Sequence, residues 1–433
     1  MKIKLPYTLL FSSLFAISIV HAESLPDLLQ SVLNHPSIQA RHAESMAAEY
    51  QTQAESDKYF GTGSLDATAT HFGDDQFMGA FTPASFRDPN FAQNQLQSGI
   101  NYSLPIDLTG IISANRIRAK SDLAIAQLLE RQEILMKLHQ TLTAWIRLQS
   151  ISEKEQALKI EQKRVSATVQ RITGEVQAGL LPISDLALAQ SEEARTQADE
   201  VHLQGERSQL IALLQDMTGQ SIQASFVNPQ DSAIQIPAWS TDNNNHKDGS
   251  DNLMSQIAVQ KAISAEQKAL VSSRSLLPSL SANAGYTHYD GGGLGENNWY
   301  VAARISLPID PSLWHQRNAA NELATAARES ALATKRESTR NMTQLKANYD
   351  SAISEINALQ QEVKYRENIV SVQDELAKVG NITTEDALRH ERDLLATVSK
   401  LADAKANAIT AWSAAQILNG EDPQVYIHAI HVE

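Results

Sequence analysis

The sequence predicts a mostly α-helical protein with a small β part, built from two copies of one long helical hairpin. The pentapeptide Ser-Leu-Pro-Ile-Asp occurs at residues 103–107 and again at 306–310, and each copy precedes more than 60 residues with almost no proline or glycine. Three further landmarks keep one offset of 201 residues, namely Gly179/Gly380, Asp185/Asp386 and Gly219/Gly420. Landmarks kept in register in this way indicate a tandem structural duplication.

The N-terminal residues 1–22 are typical of a secretory signal peptide. Lys2 and Lys4 precede an apolar stretch at 5–20, and Val-His-Ala at 20–22 is a small-x-small cleavage site. An uncleaved membrane anchor is the alternative, but the apolar stretch is short of the roughly 20 residues that a span needs. We therefore expect a mature chain that begins near Glu23, with a formal charge of −16 instead of −14.

Composition excludes several classes of protein. The chain contains no cysteine, so it has no disulfide framework, no thiolate metal site, no cysteine nucleophile and no lipid anchor on cysteine. An acidic secreted chain without a basic cluster is also a poor nucleic-acid binder.

Each repeat is predicted to contain a helix, two strands, a long helix and a returning helix. In the first repeat, 23–219, we expect the first helix at 25–58, interrupted at 34–36, and the two strands at 65–72 and 96–104. The long helix is expected at 111–178 and the returning helix at 184–217, capped by Ser184. For the second, 251–420, we expect them at 253–275, 280–289, 298–307, 314–379 and 384–418. The connector at 220–250 is polar, and the tail at 421–433 is expected to be irregular.

The long helices are expected to pack as coiled coils. In the first, apolar residues recur every seven positions, at Leu128, Leu135 and Leu142 and again at Ile151, Leu158, Val165 and Ile172. At 1.5 Å per residue such a helix spans roughly 100 Å. The first helix and the returning helix together nearly match that length. We therefore expect these two shorter helices to stack end to end and to pack along the whole long helix.

The sequence contains no recognisable catalytic, cofactor or metal site, and we expect that the protein is not an enzyme. It has no nucleophile elbow, no His-Glu-x-x-His and no phosphate-binding loop. The glycine-rich segment 291–295 links two predicted strands, which is typical of a hairpin turn. His428 and His431 lack a third ligand, so a solvated tail is the favoured interpretation.

Asp185 and Asp386 follow the two hairpin glycines at the same distance. A carboxylate in the first turn of a helix is favoured by the helix dipole, which explains either residue alone. Alternatively, the two carboxylates ring a pore where the hairpin tips of several chains converge.

The predicted strands alternate in polarity over about nine residues, which suits a transmembrane barrel. A small soluble sheet is the alternative. Since bacterial barrels have at least about eight strands, four strands would need at least two chains to close.

In the order and duplicated spacing of these motifs, the mature chain resembles the TolC-like outer-membrane efflux proteins over nearly its whole length. The matching motifs are Asn-His-Pro at 34–36, Leu-Leu-Pro-Ser-Leu at 276–280, both Ser-Leu-Pro-Ile-Asp segments and both glycine-broken hairpins. The resemblance implies a homotrimer in which four strands from each chain form a twelve-stranded barrel, continued by an α-helical barrel across the periplasm. It implies an outer-membrane exit duct for efflux or type I secretion, and it leaves drug, metal-ion and protein cargo open.

The resemblance also implies partners and sites. A periplasmic adaptor that bridges to an inner-membrane pump or ABC exporter would dock at the hairpin tips, Gly179, Leu180, Gly380 and Asn381. We expect both tip glycines to adopt left-handed backbone angles at the helix end. Asp185 and Asp386 would lie near the periplasmic constriction. Arg389 stands where some family members have another carboxylate, which would weaken an acidic ring.

Two other classes of protein were weighed against the duct. A secreted trimeric coiled coil with a structural or adhesive role would need one apolar seam along each helix of a solid stalk. The hairpins here return on themselves and are rich in small and polar residues, which favours a hollow wall. A periplasmic adaptor would have one hairpin flanked by a lipoyl-like β domain.

Overall fold

The computed structural model describes residues 25–79, 90–222, 234–239, 252–291, 294–378 and 383–430. The helices are α1 (Leu25–Val32), α2 (Pro36–Asp57), α3 (Ile111–Gln177), α4 (Ile183–Thr218), α5 (Leu253–Arg274), α6 (Ser312–Lys378), α7 (Thr384–Asn419) and α8 (Pro423–His428). The strands are β1 (Thr62–Phe77), β2 (Phe91–Ile106), β3 (Ser279–Gly291) and β4 (Leu294–Ser306). The expected leader and most of the connector lie outside the described residues.

The predicted break in the first helix is confirmed at Pro36. His35 is extended and its imidazole Nδ1 accepts a hydrogen bond from the Ser37 N–H at 3.2 Å. Proline at the first helical position has no N–H to leave unpaired, and its fixed φ suits the helix. The chain therefore ends α1 at Val32 and starts α2 at Pro36.

The strands form one antiparallel sheet in the order β1-β2-β3-β4. β1 and β2 have 16 residues each and β3 and β4 have 13, so the predicted length of about nine residues was too short. Beyond His71 the polar run 73–76 no longer alternates, and the β1–β2 pairing continues through a register shift between His71 and Gln76. Backbone pairing extends the hairpin where the side-chain pattern gives no signal.

Helix α3 has 67 residues, a length of about 100 Å. The predicted seven-residue seam is confirmed in its buried side chains, which include Leu135, Leu142, Ile151, Leu158, Val165 and Ile172. Burial at this spacing holds one stripe of α3 against its neighbours along the whole helix.

The helices form a layer that is one helix thick. Helices α2 and α4 pack along one side of α3, and α5 and α7 pack along its other side. The second long helix, α6, packs against α5 and α7. Two shorter helices, placed end to end, therefore pack along each side of α3, as the helix lengths predict. In the described chain, α2 with α4 forms one edge of the layer and α6 forms the other.

A compact core lies at the middle of this layer. It gathers Leu28 of α1, Trp145 of α3, Trp412 of α7 and the segment 234–239 around the long helices. The Tyr349 hydroxyl donates a hydrogen bond to the Pro237 carbonyl at 2.8 Å. No described helix is long and apolar enough to cross a membrane.

The expectation of an irregular tail was wrong, because residues after Gly420 form α8. Asp422 caps this helix by accepting the N–H groups of Gln424 and Val425 at 2.9 and 3.4 Å, and Pro423 takes the first helical position. Tyr426 is fully buried, stacks on Trp412 and is hydrogen-bonded to Ser413. The Asp-Pro pair was a readable start signal for a helix.

We expect Tyr426→Ala to destabilise the protein strongly, by about 3–5 kcal/mol, because it empties a large buried site. Tyr426→Phe keeps the ring and loses a hydrogen bond, so its effect should be about 1 kcal/mol. Thermal unfolding followed by circular dichroism in detergent measures both. An unfolding midpoint of Tyr426→Ala equal to that of the unaltered protein would contradict this role for the tail.

Candidate functional site

The first hairpin tip is formed by Gly179, which follows α3 with a φ of 73°. The Leu180 N–H donates to the Glu175 carbonyl at 2.8 Å, and the Gly179 N–H donates to the Val176 carbonyl at 3.0 Å. These two bonds define a Schellman motif, in which the left-handed residue is usually glycine. The expected left-handed conformation of Gly179 is confirmed.

The surface of this tip is apolar and open. Leu180 is 74% exposed and Ile183 is 77% exposed. A Cβ atom added to Gly179 would meet nothing within 4 Å, so a side chain there would be opposed by the backbone conformation rather than by a neighbour. The second tip, with Gly380 and Asn381, lies outside the described residues.

Asp185 lies in the first turn of α4, close to the first tip. The expected cap at Ser184 was wrong, because the helix starts one residue earlier and Pro182 takes the cap position without a side-chain bond. The Ser184 hydroxyl instead donates to the Asp185 carboxylate at 3.3 Å. The carboxylate itself satisfies the positive end of the helix dipole.

Asp386 occupies the matching position in α7 and is more tightly held. Thr383 caps the helix by accepting the Asp386 N–H at 3.1 Å, and its hydroxyl donates to the Asp386 carboxylate at 2.7 Å. Arg389 forms an ion pair with the same carboxylate at 2.9 Å. Within one chain, this geometry supports a helix-start role for Asp386 and places a compensating charge beside it.

A charge cluster built around two buried carboxylates, Glu161 and Glu192, lies deeper in the hairpins and was not predicted from the sequence. Arg195 of α4 contacts Glu161 of α3 at 3.0 Å, Glu192 of α4 and Asp199 of α4 at 2.9 Å. Arg392 of α7 also reaches Glu192, at 3.3 Å. The cluster therefore connects both helices of the first hairpin to a helix of the second.

A signal for the cluster was present in the heptad pattern. Glu161 is only 4% exposed and lies between Leu158 and Val165 on the apolar seam, where a charge is costly unless it is paired. Burial raises the pKa of Glu161 above its ordinary value, while the Arg195 charge acts in the opposite direction.

The two faces of the sheet differ in chemistry. On one face, Leu65, Ile100, Tyr286 and Trp299 lie in one cross-strand row, and all four are exposed. Exposed apolar and aromatic side chains in such rows suit contact with lipid. This face is continued towards α6 by the exposed side chains of Val301 and Ile305.

The opposite face is polar. The Asn101 amide donates to Asp66 at 2.6 Å, and the Tyr300 hydroxyl donates to Asn101 at 3.3 Å. Gly285 lies directly opposite Tyr300, and a Cβ atom at Gly285 would come within 2.4 Å of the Tyr300 ring. Glycine thus lets the tyrosine ring lie across the strand on this face. The sheet therefore separates an apolar environment from an aqueous one.

Among the described residues, no group of three or more His, Asp or Glu side chains could hold a metal ion. His428 bonds through Nδ1 to the Gln424 carbonyl within α8. His431 lies beyond the described part of the tail.

Part of the chain matches a known protein family by sequence. Residues 28–220 match the model of the outer membrane efflux protein family. None of the curated proteins matches the chain by sequence.

Solved structures with the same fold are bacterial outer-membrane channels. The Campylobacter jejuni CmeC outer membrane channel is similar with a TM-score of 0.77 and 15% identity, over 93% of this chain and 88% of that chain. The Vibrio cholerae outer membrane protein VceC is similar with a TM-score of 0.77 and 17% identity, over 92% and 96%. The open state of the Neisseria gonorrhoeae MtrE outer membrane channel gives 0.75 and 16%, over 92% and 89%.

The pKa of Glu161 predicts a pH-dependent effect of Glu161→Gln. Because the folded-state pKa is raised, ionised Glu161 costs stability that appears as pH rises from its ordinary value through the raised one. In thermal unfolding, the stability of the variant relative to the unaltered protein should therefore increase as the pH rises above 4.5, the ordinary pKa of the carboxyl group. Glu329→Gln, at an exposed carboxylate of α6, is the control and should show no such trend. A difference independent of pH would contradict the assignment.

Proposed function

We propose that the chain belongs to the outer membrane efflux proteins whose family model matches residues 28–220, and that it is the passive exit duct of a tripartite efflux or type I secretion system. It is an outer-membrane protein that extends into the periplasm, and it is not an enzyme. The duct would conduct substrate from a periplasmic adaptor and inner-membrane pump to the exterior.

One observation carries this proposal, namely that the described chain has open edges. The sheet has one apolar and one polar face and is open at both edges. It is followed by a helical layer that is also open at both edges. In the described chain, β1 and β4 each pair on one side only. Open sheet edges are not tolerated in hydrocarbon. Three copies joined edge to edge would close twelve strands into a barrel with the apolar face towards lipid.

The helical edges support the same closure. Tyr50 of α2 and Val201 of α4 are 64% and 69% exposed, and by helical position they lie opposite the stripe that packs on α3. Tyr365 and Val372 of α6 are similarly exposed, on the side away from α7. Apolar side chains on both free edges favour contact with further copies of the chain.

The solid adhesive stalk is disfavoured by the same layer. In a stalk, helices would cover α3 on all sides along its whole length. In the described chain, α4 packs on one side of α3 and α7 packs on the other. A layer of this kind encloses space when it closes. Proteins of this family are trimers that work with adaptors and inner-membrane pumps, and we assign adaptor docking to Gly179, Leu180, Gly380 and Asn381.

The duct proposal predicts that detergent extracts of outer membranes contain a heat-labile trimer with strongly helical circular dichroism. Light scattering of the purified protein measures the mass directly. A monomer under mild extraction, or recovery in the soluble periplasmic fraction, would refute the barrel.

Replacing the tip glycine should uncouple assembly from export. Gly179→Val forces a β-branched residue into the left-handed region, at a local cost of roughly 1–2 kcal/mol, and should abolish export while leaving a membrane-inserted trimer. Gly205→Val, at an interior position of α4 with open space around its Cβ, is the control for helix destabilisation. Normal export by a Gly179→Val, Gly380→Val double variant would exclude the tips as the docking site.

Ion selectivity tests the proposed constriction. If three copies of Asp386 face one another across a narrow mouth, the reconstituted channel should prefer cations, and Asp386→Asn should weaken that preference more than Asp185→Asn. Arg389→Gln removes the compensating charge and should strengthen it. The preference should fall near 1 M salt, where the Debye length is about 3 Å. Unchanged selectivity in all three variants would leave both carboxylates with structural roles alone.

A further inference from the structure

Strands β2 and β4 occupy equivalent positions in the two repeats, but they differ in their neighbouring strands. Ser103 of β2 and Ser306 of β4 begin the two copies of the pentapeptide. In the β1–β2 hairpin Thr62 lies opposite Ser103, and in the β3–β4 hairpin Ser279 lies opposite Ser306. The two hairpins can therefore be superposed residue by residue from these ends, with β1 on β3 and β2 on β4.

The superposition shows what β4 lacks. Strand β2 continues through residues 104–106, which pair with β3 from Leu104 opposite Ala282 to Ile106 opposite Leu280. The equivalent residues 307–309 are not part of β4, and Leu307 and Ile309 are 56% and 92% exposed. The pairing with β1 ends at Ser103, so β3 is what extends β2. Strand β4 has no described neighbour in the place that β3 takes beside β2.

We propose that β4 of one protomer pairs with β1 of the next in the register that β2 keeps with β3. This inference rests on the proposed trimer and specifies its seam. Asn101 lies opposite Gly285, and Ser103 lies opposite Asn283. Transferred by the repeat, Arg304 lies opposite Thr68 of the partner subunit, and Ser306 lies opposite Asp66 of the partner subunit.

The charges on the two free edges complement each other in this register. Arg304 is exposed and has no carboxylate within ion-pair distance among the described residues. Asp66 accepts hydrogen bonds from Asn101 and Ser64, both neutral. Both residues lie on the polar face of the sheet.

A diagonal cross-strand pair is about 7–8 Å apart at the Cα atoms, which is within reach of a long side chain. The Arg304 guanidinium would therefore pair with Asp66 of the partner subunit. Each of the three seams would place one such ion pair on the lumen wall, with residues from two protomers.

The register can be measured by disulfide formation, since the chain has no cysteine of its own. Thr70→Cys with Ala302→Cys places the two thiols directly opposite across the seam. Within one chain β1 and β4 are three strand spacings apart, about 14 Å, which is beyond the limit of about 7 Å between the Cα atoms of a disulfide. A bond between these cysteines must therefore join two protomers.

The matched control is Thr68→Cys with Ala302→Cys, on the same face but slipped by two residues. After oxidation in membranes, denaturing electrophoresis without reductant should show covalent dimers and trimers for the first pair and at least fivefold less for the second. Preferential cross-linking of the slipped pair, or a trimer by light scattering without cross-linking of either pair, would overturn the register. A monomer by light scattering would overturn the proposed trimer as well.

Charge reversal tests the ion pair separately. Asp66→Arg and Arg304→Asp should each lower the temperature at which the trimer dissociates, and the double variant should restore it. Additive losses in the double variant would show that the two side chains do not meet and would overturn the pair.

Discussion

The backbone N–H and C=O groups along the outer edges of β1 and β4 are unpaired within the described chain, and a bilayer provides no water to bind them. This constraint determines the rest of the architecture. In the proposed trimer, copies of the chain meet this constraint edge to edge, with the apolar face of the sheet towards lipid. The helical layer is tied to the same arrangement, because only residues 107–110 separate β2 from α3 and only residues 307–311 separate β4 from α6.

The long helices meet this demand through a layer that is one helix thick. Outside the central core, helix α3 is buried along a narrow stripe, whereas through residues 144–152 it is buried on nearly all sides. Helix α6 approaches α5 through small side chains, Ala320 and Ala324 against Ala269. Because these side chains are small, they oppose sliding of α6 along α5 only weakly. The ion pairs of Arg195 and Arg392 add directional links among α3, α4 and α7, at a depth where an unpaired charge would be costly.

Sequence periodicity was sufficient for the parts of the fold that one burial pattern determines. The seam from Leu135 to Ile172 and the left-handed turn at Gly179 were predicted, because each depends on local spacing or on a residue type with a particular conformation. The outer part of β1 was missed because its residues are polar on both faces. Glu161 was missed because its partner, Arg195, comes from a different helix. The tail helix was missed although Asp422 and Pro423 signal its start.

The end-to-end stacking of the short helices has a mechanical consequence. Near the middle of the layer, α1, which precedes α2, contacts α4, and α5 contacts α7, so each long helix faces a junction between two shorter ones. Torque applied at the tips reaches the sheet through the continuous backbones of α3 and α6. The central core around Trp145, Trp412 and Tyr426 acts as a clamp on those ends. A twist that starts at the tips must therefore deform this core before it reaches the strands.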